Sequence, residues 1–185
     1  MQIISGKFRA RKLIGVDSEN TRPTLARVKE SIFNIIQMKV AGSVVLDLFA
    51  GSGAFGAECL SRDAKMVYFF DNSKKATDTI EHNTRNMGDN FKIQKSDFKD
   101  ALSKLFTENI KFDIIYLDPP YKSAFAMESL KLISEYKLLS KDGIIVVEHE
   151  FENDLQNIPE CYIIKKSKKY GIAYVDILEQ TETKE

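Results

Sequence analysis

The chain has 185 residues, of which 43% are apolar and 29% charged, and Lys plus Arg (27) balance Asp plus Glu (27). That size suits one domain burying about 70% of its unfolded surface, and the composition excludes disordered and fibrous classes. Zero net charge means that a polyanionic partner must be gripped by a local patch, and the lack of any apolar run near about 18 residues argues against a helical membrane span.

In chain order, "IISGKFRARKLIGV" alternates loosely and contains Gly6 and Gly15, which predicts a small basic hairpin within residues 1–20, with a flexible basic arm as the alternative. Eight basic residues face three acidic ones over residues 1–42. The opening "MQIISGKFRARKL" lacks the apolar core of a signal peptide, so the cytoplasm is the expected compartment. Next, "TRPTLARVKESIFNIIQMK" sets Leu25, Val28, Ile32 and Ile35 or Ile36 at helical spacing. Pro23 sits near the helix start, where its missing N–H costs nothing.

After Gly42 the runs "SVVLDLF", "KMVYFFD", "FKIQKSD", "FDIIYLD" and "GIIVVEH" alternate with helical stretches. This predicts right-handed crossovers and a mostly parallel sheet covered by helices on both faces. The final "CYIIKKSKKYGIAYVDILE" holds two extended runs with no room for a helix, so an antiparallel pair should close one edge and bring the sheet to seven strands. Its Lys165, Lys166, Lys168 and Lys169 form a second basic cluster, for which solvated surface is the ordinary explanation. Cys59 and Cys161 lack metal-like spacing, and His82 and His149 stand alone, so no metal site is expected.

Two motifs carry chemistry. In "VLDLFAGSGAFG", Gly51, Gly53 and Gly56 follow a strand and open a helix, where a backbone can turn sharply and offer free N–H groups to a ligand. Asp71 ends the next strand at the distance of a ribose-binding acid, so a nicotinamide oxidoreductase is one reading. Against it, Asp47 sits four residues before Gly51, where a buried carboxylate needs donors such as a water leading to an amino-acid-like ligand. Asp71 and Asp97 also fit as helix caps, although Ser73 could serve in place of Asp71.

The second motif is "LDPPY". Pro119 and Pro120 fix two successive φ angles, and Asp118 with the Pro119 carbonyl forms a rigid pair of acceptors suited to an exocyclic amine. Tyr121 offers a stacking face for a base. The glycine loop follows the first strand and "DPPY" the fourth, which are neighbours at the strand-order switch of a doubly wound sheet, so both should face one crevice.

Together, "LDLFAGSGAFG" and "LDPPY" resemble the class I S-adenosylmethionine-dependent methyltransferases, with their Rossmann-like α/β fold. The resemblance extends through "IISGKFRARKL", "TRPTLARVKESIFNII", "CLSRDAKMVYFFDNS" and "KKYGIAYVDIL" to the bacterial 16S ribosomal RNA guanine-N2 methyltransferase family, the RsmD type, across nearly the whole chain. It implies a methyltransferase domain over residues 21–185, S-adenosylmethionine as donor and S-adenosylhomocysteine as product, without a metal. It also implies cofactor contacts from Asp47, Phe49, Gly51, Gly53, Asp71, Asn72, Asp97 and Phe98, and a base-holding site at Asp118, Pro119, Pro120 and Tyr121. RNA contacts would come from Lys7, Arg9, Arg11, Arg22 and Arg27. The expected partner is 16S RNA, in the assembled small subunit, with no protein partner. An adenine-N6 DNA methyltransferase is the nearest alternative, and a noncatalytic nucleic-acid-binding domain a further one. This chain departs from the family in having Asp71 where Glu is common, and in lacking a Thr-Asp pair after "TRPT".

Overall fold

The computed structural model describes residues 1–16, 23–120, 124–150, 155 and 157–181. The expected first helix is α1, Pro23–Val40. Its described inward residues are Val28, Ile32, Phe33, Ile36 and Val40, all fully or nearly fully buried; Ile36 rather than Ile35 takes the core position, and the Leu25 side chain lies outside the described residues.

Five strands then run parallel: β1 Val44–Asp47, β2 Met66–Asp71, β3 Phe91–Lys95, β4 Phe112–Leu117 and β5 Leu139–His149. They alternate with α2 Ala54–Ser61, α3 Lys74–Thr84, α4 Phe98–Thr107 and α5 Phe125–Glu135. The last two strands, β6 Tyr162–Tyr170 and β7 Ala173–Gln180, form an antiparallel hairpin. The sheet order is β3-β2-β1-β4-β5-β7-β6, so β7 inserts between β5 and β6 and pairs antiparallel with both.

Strand alternation sorts the core into two layers. Val45, Val67, Phe69, Ile114, Tyr116, Ile144 and Val146 face α1, α2 and α3, whereas Leu46, Phe70, Ile115, Leu117, Ile145 and Val147 face α4 and α5. The same parity places Asp47, Asp118 and Glu148 on the α1 side at the carboxyl ends of β1, β4 and β5. Three acids are thereby gathered at one end of the sheet.

Residues 1–14 form a closed loop with an antiparallel bridge between Gln2 and Lys12, and Ile3 and Leu13 join the main core. Glu58, buried on α2, fastens this segment: its carboxylate accepts from the Ile4 N–H at 2.7 Å and the Ser5 N–H at 3.0 Å. Lys29 Nζ at 3.1 Å and Arg62 Nε at 2.9 Å complete its shell. Asn83 does the same for the segment's end, exchanging hydrogen bonds with the Ile14 N–H and carbonyl. Among the described residues no helix is long and apolar enough to cross a membrane.

Candidate active site

The strand order reverses between β1 and β4, and there the glycine loop and the DPP segment meet. A cleft of about 360 Å³ is lined by Leu48, Phe49 and Gly51 after β1, Asp71 and Asn72 after β2, Ser96, Asp97 and Phe98 after β3, and Asp118, Pro119, Pro120 and Phe125 after β4. This volume lies in the range of small-molecule sites. Of the residues singled out in the sequence, nine therefore share one cavity. Tyr121 lies outside the described residues.

The loop geometry follows from its glycines. Gly51 has φ of 52°, and a Cβ built there would project into open space, so the left-handed backbone rather than crowding dictates glycine. Gly56 has a different reason: a Cβ would come within 2.1 Å of the Phe69 ring, so glycine lets α2 press against β2. Asp71 braces the loop from the side, its carboxylate accepting from the Gly51 N–H at 2.8 Å and from the Ser73 N–H at 2.9 Å. Ser73 caps α3 through the Ala76 N–H. Asp97 combines two duties, accepting from the Lys99 N–H at 2.9 Å as the cap of α4 while lining the cleft.

Asp47 lies beneath the loop and not on the cleft wall. One oxygen accepts from the Gly56 N–H at 3.1 Å, and the other, Oδ1, is buried without a partner. Gly53 likewise stands back from the wall as the N-terminal residue before α2. Phe49, Phe98 and Phe125 form an aromatic wall, with ring centroids 5.5 Å apart for Phe49 and Phe98 and 5.0 Å for Phe98 and Phe125. Sequence reasoning missed Phe125. Its signal was an aromatic residue opening the helix after the DPPY turn.

Three carboxyls and a phenol crowd the α1 side of the cleft. The Tyr116 hydroxyl donates to Glu148, and its ring stacks on Phe55 with centroids 3.9 Å apart. Burial pushes Asp47 up to about 8 and Asp118 up to about 6. Burial, reinforced by the Asp118 charge, pushes Glu148 up to about 8. These values exceed those of an unfolded chain, near 4, so the folded state binds more protons than the unfolded one between about pH 4 and 8. Stability therefore falls as pH rises through that window, the reverse of the usual salt-bridged carboxylate. Asp47→Asn removes one of these ionisations, and urea denaturation should show the variant losing less stability than the native protein between pH 6 and pH 9. Parallel losses would refute the assignment.

The basic residues are dispersed. Lys7 pairs with Asp63, whose carbonyl accepts from the Gly42 N–H just before β1, so Lys7 stands at the amino ends of the strands, opposite the cleft. Arg11 donates to the Arg85 carbonyl past the end of α3 and lies over the Phe8 ring. Arg9 and Arg27 are exposed, and Arg22 lies outside the described residues. None of the described four lines the cleft. Among the described residues, no group of three or more His, Cys, Asp or Glu could hold a metal ion.

Comparison with known proteins gives this geometry a family. The profile described as "Conserved hypothetical protein 95" matches residues 1–179. The Haemophilus influenzae protein named Ribosomal RNA small subunit methyltransferase D is 34% identical over 93% of this chain and 90% of its own length. The chain belongs to the RsmD family of methyltransferases. YlbH of Bacillus subtilis is 38% identical over 96% of this chain and 97% of its own. The solved structure of yhhF from Escherichia coli superposes with a TM-score of 0.85 at 27% identity, covering 99% of both chains. Membership in the family leaves the nicotinamide reading of the glycines without support.

Proposed function

We propose that the protein transfers a methyl group from S-adenosylmethionine to the exocyclic N2 amine of a guanine in 16S ribosomal RNA, with the assembled small subunit as substrate. The observation that carries this reading is the shared cleft: the Gly51 loop and the Asp118-Pro119-Pro120 turn line one cavity. The cavity fits the donor on two counts. Asp47 Oδ1, buried and unpartnered, suits an ammonium reached through water, and the space facing Gly51 would be narrowed by any side chain there. Asp47 would hold the amino-acid end of the donor, with Gly53 shaping the turn beside it. Asp71 and Asn72 would bind its ribose hydroxyls, and Asp97 with the Phe49, Phe98 and Phe125 rings its adenine.

When bound, S-adenosylmethionine supplies a methyl group on a positively charged sulfur. The chain's task is then to aim the acceptor, a contribution of about 7–11 kcal/mol when proximity and orientation are well set. Asp118 and the Pro119 carbonyl accept the two amine protons, holding the nitrogen so that its lone pair points along the cleft. Pro120 keeps this turn rigid, and Tyr121 supplies the stacking face. Asp118, with a folded value near 6, is mostly ionised at neutral pH and can take the amine proton once the new bond forms. Glu148, held by the Tyr116 hydroxyl, stays largely neutral beside it and leaves the single negative charge on Asp118. A paired guanine cannot enter such a cleft, so the target must lie in a loop or be extruded. Lys7, Arg9, Arg11, Arg22 and Arg27 would meet phosphates of a substrate large enough to extend beyond the cleft.

Radiolabelled methyl transfer to naked 16S RNA, to small subunits lacking the modification and to duplex DNA tests the reading. Label is expected in the ribosomal substrates, most in the assembled subunit. Label confined to DNA adenine would replace the RNA reading with the adenine-N6 alternative, which the same acceptor pair would serve.

A further inference from the structure

The β6 edge strand carries Lys165, Lys166, Lys168 and Lys169 within nine residues, and it is exposed along nearly its whole length. Charged edges discourage sheet-to-sheet aggregation, but the placement of two of these lysines is more specific. Lys166 pairs with Ile177 and Lys168 with Val175, and both partners belong to the core layer beneath α1. Residues directly opposite share a face. Lys166 and Lys168 thus project on the α1 side, the side to which parity assigns Asp118. Their neighbours are otherwise engaged: Lys165 reaches Glu179 at 3.9 Å, and Lys169 lies over the Tyr174 ring.

Register fixes the height. Glu148 pairs with Val175, which pairs with Lys168, and Leu117 pairs with Val147. Lys168 therefore lies level with the end of β5 and the Asp118 turn, three strand spacings from β4, or about 14 Å. From there the Tyr170 hydroxyl bonds Ser31 Oγ on α1, one turn beyond Arg27, which is exposed. Arg27, Lys168 and Lys166 thus lie on the α1 side of the sheet, on the β6 flank of the Asp118 turn, whereas Lys7 stands at the amino ends of the strands.

We propose that Lys166 and Lys168, continued by Arg27, form the surface that grips the phosphates of the RNA strand flanking the target base. This deepens the proposed RNA methylation and rests on it. Contacts of this kind carry little sequence information but fix register, and each neutralised phosphate contributes about 0.7 to the salt slope of single-strand binding. They would hold the strand while the base turns into the cleft.

The test compares native protein, Lys166→Glu/Lys168→Glu, the milder Lys166→Gln/Lys168→Gln, and Lys65→Glu, an exposed control just before β2 at the amino ends of the strands. Affinity for 16S RNA is measured across a salt series, with kcat/KM on small subunits and S-adenosylhomocysteine affinity alongside. The charge-reversed pair should bind RNA at least about tenfold more weakly, lower the salt slope by about 1.4 and raise KM, with cofactor affinity unchanged; the Gln pair should show the same loss in smaller measure. Native salt slopes in both double variants, or an equal loss in Lys65→Glu, would overturn the proposal. RNA binding is read without turnover, so a native protein that fails to transfer methyl groups would count against the proposed reaction, while the slopes still decide this surface.

Discussion

Replacing Asp118 by Ala should reduce methyl transfer at least about 100-fold while leaving S-adenosylhomocysteine affinity within about threefold of native. The first figure follows from removing both the acceptor that orients the amine and the group that takes its proton, effects that together span about 10² to 10⁴. The second follows from geometry, since Asp118 and the Pro119 backbone lie after β4 while the donor's proposed partners, Phe125 apart, belong to β1 or follow β1, β2 and β3. Asp118→Asn is the informative companion: it keeps an acceptor oxygen but cannot take a proton, so it should retain more activity than Ala and lose the acid limb near pH 6. A full loss of cofactor binding in Asp118→Ala, or turnover at the native rate, would contradict the role.

The largest effect on stability is expected at Glu58. Its carboxylate is wholly buried and accepts from two N-terminal amides, Lys29 and Arg62. Truncation to Ala would leave the Lys29 ammonium buried without its counter-charge; burial already lowers the Lys29 pKa, and Glu58 works against that shift. Breaking a buried pair in this way costs about 3–5 kcal/mol, a large share of the roughly 5–15 kcal/mol that holds a typical domain together. The midpoint of thermal unfolding should fall by about 10 °C, and residues 1–14 should lose hydrogen-exchange protection first. A change below about 1 kcal/mol would show that the N-terminal loop is held by Ile3 and Leu13 packing alone.

Most of the sheet was legible because the inner parallel strands are short β-branched or aromatic runs buried on both faces, while β3 at the edge alternates apolar and polar residues without being fully buried. The insertion of β7 ahead of β6 was not: the two runs have similar lengths, and only the burial of Val175, Ile177 and Leu178 against the exposure of β6 distinguishes the inner strand from the outer. The cleft was legible where one motif follows one strand, as for Gly51, Asp71 and Asp118. It was not where contacts depend on register between distant strands. The Tyr116–Glu148 hydrogen bond joins residues 32 apart, and nothing in "IIYLD" or "VVEHE" announces it. Asp97 showed why capping and lining need not compete, since one oxygen engages the helix while the side chain still borders the cavity. The basic N-terminal stretch looked like one patch in the sequence, yet docking on α2 carries Lys7 and Arg11 away from the cleft.

Nucleoside analysis of small-subunit RNA after reaction with the protein tests the central claim most directly. The RNA is digested and the methylated product identified by mass spectrometry against standards. N2-methylguanosine is expected, and its yield should vanish with Asp118→Ala. A methyl group on a ring nitrogen, on a ribose hydroxyl or on adenine N6 would show that Asp118 and the Pro119 carbonyl do not hold a guanine amine in this cleft.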